Sequence, residues 1–266
     1  MKRDPAVAGR FYPGNKSALE KEVAKYLLKG ADKLDAIGIV SPHAGYIYSG
    51  AVAGATLSSA KLNDTCVVMG PNHTGEGSPF SIMTEGLWKL PSGDCEIDSR
   101  LAKAIFENSE FLEEDPGAHK YEHSIEVQIP FLQALKPDVK IVPIVLVDAG
   151  LDVYRSIGAE LAKAIKGTAP ATIVASSDMT HYEPHEEAGR KDRKAIEAIL
   201  ALDEKALMEA IGKYNISMCG YAPVCVMLAA AKDLGAKRAK LIKYQTSGES
   251  SGDYAQVVGY GGIIVY

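Results

Sequence analysis

The stretch IGIVSPHAGY, Ile37 to Tyr46, constrains the fold of this chain more than any other. Its apolar run is too short for a helix and too continuous for a strand with one wet face, so it reads as a strand buried on both faces. The run stops at Pro42, His43 and Gly45, where a strand hands a side chain to a turn. TCVVMGPNHTG repeats the arrangement, Thr65 to Met69 leading into His73, and ATIVASSDMTH does so again, Ala171 to Ala175 leading into Asp178 and His181. Strands of this kind belong to a mostly parallel or mixed sheet covered by helices on both faces, and such sheets bind ligands beyond the carboxyl ends of their strands. The expected class is α/β, with one polar cluster.

The rest of the chain agrees. SALEKEVAKYLL from Ser17 places Leu19, Val23, Tyr26 and Leu27 at helical spacing, and the small residues from Ser49 suit a helix lying very close to the sheet. Asp98 and Asp203 are expected to cap helices. Ile125, Ile129, Leu132 and Leu135 mark another, kinked at Pro130. KIVPIVLV is a further buried strand, and strands at 239–246 and 256–266 are joined by SGESSGD, read as a flexible loop. No linker, low-complexity tract or fixed-period repeat divides residues 1–266, so one domain is expected. A net charge of -5 argues against nucleic acid or an anionic membrane as the main partner. The chain start has no apolar signal core, and no apolar run approaches the roughly 18 residues of a membrane span, so a cytoplasmic protein is expected.

The four cysteines show no paired metal-finger spacing, which fits a reducing compartment. Cys66 and Cys225 fall inside apolar elements and Cys95 in a turn-rich segment. Cys219 stands apart, in a turn just before a helix start at Gly220 to Pro223. His43, His73, Asp178, His181 and Cys219 therefore all fall where an α/β sheet gathers its functional groups. Imidazoles and a thiolate suit iron, copper or zinc better than magnesium or calcium. The helix dipole beside Cys219 would favour its thiolate. The same side chains also suit nucleophilic catalysis, with Cys219 attacking, His181 as base and Asp178 orienting it. His123 is a candidate for the cleft, whereas Glu122 and Glu126 also read as a solvated helix start, and His119 and His185 as surface residues. Tyr46, Tyr182 and Tyr221 flank the candidate ligands and would wall a cleft for a planar substrate.

PHAGY at Pro42 to Tyr46, GPNH at Gly70 to His73, EHSIEVQIPFLQ at Glu122 to Gln133, SSDMTH at Ser176 to His181 and MCGYAP at Met218 to Pro223 together resemble the Memo family, and the likeness extends from RFYPG at Arg10 to the terminal strand. The resemblance implies the fold of the class III extradiol dioxygenases, of which the protocatechuate 4,5-dioxygenase catalytic subunit is an example. It implies a metal site of His43, His73 and Cys219, with Asp178, His181 and His123 as catalytic groups and Glu122 in the cleft. Where the dioxygenases use a carboxylate, this family has the cysteine. The expected cofactor is iron(II) or copper, with zinc a further option, and the expected activity is redox chemistry on an unidentified substrate. A non-catalytic protein holding a peptide or phosphorylated ligand in the same cleft is the alternative, and a cysteine hydrolase the third. The resemblance also implies a functional link to radical-SAM and Alport-region candidate family proteins.

Overall fold

The computed structural model describes all 266 residues. At the centre of a nine-stranded sheet, Gly38–Ser41, Ala171–Ser176, Thr65–Pro71 and Lys140–Leu146 run parallel in that spatial order. Every residue in them except Lys140 is buried, which is why their sequences are unbroken apolar runs rather than alternating ones. Val257–Val265 lies antiparallel beside Gly38–Ser41, carries Ala239–Thr246 along its other edge, and pairs antiparallel with His181–Glu183 near its start. Phe80–Ile82 is antiparallel to Lys140–Leu146 at the opposite side. The sheet is therefore mixed, within one α/β domain.

Two glycines set how closely the helical layers approach. Gly38 leaves room for Met227 of the helix Tyr221–Asp233, and Gly262 leaves room for Thr56 of the helix Tyr46–Ser58. Gly38 pairs with Val265, three residues from Gly262, so the two glycines point to opposite faces of the pleat. The small-residue sequence of Tyr46–Ser58 lets that helix sit against the sheet with most of its residues buried. Asp98 and Asp203 cap helices as expected, through bonds from Leu101 N and Ala206 N.

Several local expectations are corrected. Pro130 does not kink a longer helix; it stands in the first turn of Ile129–Leu135, after a short 3-10 segment, where its missing N–H costs nothing. Within SGESSGD, Gly248–Ser251 forms a helical turn, because Glu249 accepts bonds from Thr246. Glu126 is fully buried rather than solvated. It pairs with Arg3, accepts bonds from Ala6 N at 2.8 Å and Val7 N at 3.1 Å, and receives the Tyr12 hydroxyl. Arg3 also donates to the carbonyls of His119 at 2.8 Å and Glu122 at 2.6 Å, with its guanidinium 4.0 Å over the Trp88 ring.

His119, expected at the surface, is fully buried between Ser81 and Trp88. Burial, with Arg3 nearby, holds its imidazole down to about 3. The folded protein thus takes up this proton later than the unfolded chain as pH falls. Stability is unaffected by this group above its ordinary value near 6.5, and declines between there and about 3 by up to about 1.4 kcal/mol per pH unit. Urea midpoints measured at pH 7, 6 and 5 are expected to fall less steeply in His119→Gln than in the wild type; equal slopes would rule this out.

Candidate metal centre

His43, His73 and Asp178 each stand two residues past the end of a parallel strand. His123 enters from the segment that precedes the 3-10 turn. One potential ligand atom from each of His43, His73 and His123 lies within 4.8 Å of the other two. Their ring centroids are 4.7 to 5.5 Å apart, and Phe11 packs edge-on against His123 at 4.8 Å. Cys219 lies outside this group of three but adjoins His43, its Sγ 3.2 Å from Nε2. His43 is 2 % exposed, while the side chains of His73 and His123 are 32 % and 21 % exposed, so the cluster opens to solvent on one side only.

The His43 and His73 imidazoles are held from behind, and His123 through its backbone. Glu122, fully buried, accepts from His73 N at 2.6 Å, His73 Nδ1 at 3.0 Å, His123 N at 2.8 Å and Ser124 N at 2.8 Å. Burial pushes this carboxyl up, but the bonds and charges of His73, Ser124 and His123 overcome it and bring it down to about 2. Ser176 Oγ lies 3.0 Å from His43 Nδ1, and Gln128 Nε2 reaches Ser176 Oγ at 2.8 Å. Burial first, then the neighbouring imidazoles, push His43 well below its ordinary value, and burial lowers His123 as well. Both therefore present neutral rings, the form that binds metals. Gly70 makes room for Ser124 against the His73 strand, since a side chain there would overlap Ser124 Oγ.

The catalytic triad allowed by the sequence is not assembled. Asp178 accepts from His43 N at 2.7 Å, while His181 Nδ1 meets the Ser217 carbonyl at 2.8 Å. Asp178 thus steadies the His43 turn rather than orienting His181. Burial, with Asp178 beside it, pushes the Cys219 thiol up. Desolvation outweighs the helix start, so the expectation of a thiolate favoured by the dipole does not hold for the metal-free chain.

The proposed aromatic wall is only partly present. Tyr46 is buried, its hydroxyl donating to Val127 O at 2.7 Å and its ring against Phe131 and Tyr12, because it opens a helix that faces the core. Tyr221 packs against Tyr154, and Glu122 sits behind the imidazoles instead of in the cleft. Tyr182 does line a hollow of about 370 Å³ with Ala44, Tyr48, Ser247 and Tyr260. Its backbone is left-handed at φ 58 and the residue is 72 % exposed. Neither this hollow nor a larger one of about 600 Å³ beside Met1 to Ala6 shares a lining residue with the cluster. Sequence reading passed over Ser176 and Gln128. The available signal was Gln128 on the apolar helical face of Ile125 and Leu132, a polar group where burial demands a partner.

Residues 3–264 match a family profile described as Memo-like protein. Relatives described as MEMO1 family proteins include one from Methanopyrus kandleri, 43% identical with 99% of each chain covered. Others are from Methanococcoides burtonii, 44% identical with 99% of each covered, and Desulfurococcus amylolyticus, 45% identical with 100% of this chain and 99% of the relative covered. Among solved structures, an uncharacterized protein from Escherichia coli K12 superposes with a TM-score of 0.59 over 85% of this chain and 98% of its own, at 14% identity. That likeness extends to the fold. No helix is long and apolar enough to cross a membrane.

Proposed function

Because this chain belongs to the Memo family, we propose that His43 and His73, with Cys219 and His123 beside them, hold an iron or copper ion in a redox enzyme acting on a small molecule. The observation that carries this reading is the convergence of three imidazoles at the carboxyl end of the parallel sheet, with the Cys219 sulfur beside one of them and another hydrogen-bonded from behind to a buried carboxylate. Histidine ligands of metals characteristically give their second nitrogen to such a partner. The donors suit the metals named: imidazole and thiolate favour iron, copper or zinc. Iron or copper would supply electron transfer or oxygen chemistry, which side chains do not supply, whereas zinc would supply only Lewis acidity.

In this reading the chain's own groups do the positioning and proton handling. His181, with Nδ1 committed to the Ser217 carbonyl, keeps Nε2 free to accept a substrate proton. Substrate would enter near the Tyr182 hollow, whose lining includes Ala44, the residue after His43. The hydrolase alternative is disfavoured by the raised Cys219 thiol and the turned-away His181.

Metal analysis of protein purified without added metal tests the reading. Wild type is expected to carry iron or copper, and His43→Ala and His73→Ala to lose it. Comparing Cys219→Ala with His123→Ala identifies whether sulfur or the third imidazole completes the set. Metal content equal in all four variants and the wild type would sink the proposal.

A further inference from the structure

We propose that Ser176, clamped by Ser124 and Gln128, is a positioning residue that holds His43 in the tautomer with its proton on Nδ1 and its bare Nε2 lone pair facing Cys219. A serine hydroxyl has one proton to give and two lone pairs. Ser176 Oγ has three partners: the Ser124 carbonyl at 2.6 Å, Gln128 Nε2 at 2.8 Å and His43 Nδ1 at 3.0 Å. The carbonyl can only accept, so it takes the single proton. Gln128 can only donate at this position, because the same NH₂ faces Pro42 O at 2.9 Å and Ser41 O at 3.3 Å. Turning the amide over would set its oxygen against both carbonyls. One lone pair of Ser176 remains, and His43 Nδ1 must therefore donate to it.

A second observation points the same way. Gln128 Oε1 is buried and has no hydrogen-bond partner. An unmet buried acceptor is destabilising, so the amide is oriented for what its NH₂ holds and against its own oxygen. His43 Nε2 consequently meets Cys219 Sγ at 3.2 Å as an acceptor. Nothing need change at His43 for that nitrogen to serve as a metal ligand. Ser124 ties this arrangement to the neighbouring one, since its N donates to Glu122 and its carbonyl receives Ser176.

Nitrogen-15 NMR of histidine-labelled protein, dialysed against chelator, reads the tautomer directly. The His43 signals are assigned by their disappearance in His43→Asn. In wild type, Nδ1 is expected as a protonated, pyrrole-type nitrogen and Nε2 as a bare, pyridine-type nitrogen shifted far downfield; a proton on Nε2 would overturn the proposal. In Ser176→Ala the two signals are expected to move toward each other as both tautomers become populated, and an unchanged pair would equally overturn it. Should that variant not fold, the wild-type spectrum decides alone. A second measurement rests on the metal reading above: Ser176→Ala is expected to weaken binding of added iron(II) or copper roughly 10–100-fold. If wild type binds neither metal while His43 shows the Nδ1–H form, the metal reading fails and this one stands. If metal binds and His43 keeps its tautomer without Ser176, the reverse holds.

Discussion

Glu122→Gln is expected to destabilise the protein and loosen the imidazole cluster together. The carboxylate receives His73 N on Oε2, and His73 Nδ1, His123 N and Ser124 N on Oε1. An amide has the same shape but only one accepting oxygen. Placed at Oε1 it keeps three of these donors and turns its NH₂ against His73 N; placed at Oε2 it confronts the other three. The first arrangement costs least, about 1–3 kcal/mol for one buried donor left unmet. Glu122→Ala abandons all four and is expected to lose more than about 5 kcal/mol, comparable with the whole stability of many domains. Urea unfolding measures both, and a Glu122→Gln midpoint equal to wild type would refute the assignment. Affinity for added metal should fall roughly 10–100-fold in Glu122→Gln, as for other partners of metal-bound histidines. Since Glu122 titrates near 2 when folded, below its ordinary 4.5, its contribution is complete above 4.5 and is lost as pH falls from there toward 2.

The second large effect is expected at Arg3. Arg3→Met leaves the Glu126 carboxylate buried without its cation, and breaking one half of such a pair costs about 3–5 kcal/mol. Adding Glu126→Gln should recover part of that loss, because the uncompensated charge is gone while Ala6 N, Val7 N and the Tyr12 hydroxyl can still find an acceptor. A double-mutant cycle is therefore expected to show strong coupling, and strictly additive costs would exclude the pairing. Arg3 also holds the carbonyls of His119 and Glu122, so Arg3→Met should raise amide hydrogen exchange around His123 more than in the distant helix Glu204–Tyr214.

The sequence made legible what is local. Unbroken apolar runs announced the parallel strands, and the residues following them brought His43, His73 and Asp178 to one end of the sheet. Cys219 was recognisable from the turn before its helix. What stayed hidden depends on distant partners. Glu122 and Glu126 stand in a polar stretch that locally resembles a wet helix start, and only Arg3 and the turn at His73 make their burial tolerable. His119 was misplaced for the same reason, its neighbours Ser81 and Trp88 being remote in the chain. Tyr46 was misplaced for a different one: sitting beside Gly45 it looked like turn residue and cleft wall, but it is the first residue of a core-facing helix.

The clamp between Arg3 and Glu126 joins residues 123 positions apart, which has a consequence during synthesis. Ribosomes add about 5–20 residues per second, so Arg3 leaves the peptidyl centre roughly 6–25 s before its partner has been made. A hydrophobic fastener in the same place would spend that interval exposed and adhesive. A guanidinium spends it hydrated, at little risk of attaching to the wrong surface. The ion pair is a costly way to hold a folded core together, yet it lets the segment around Arg3 wait in water for the segment that carries His123.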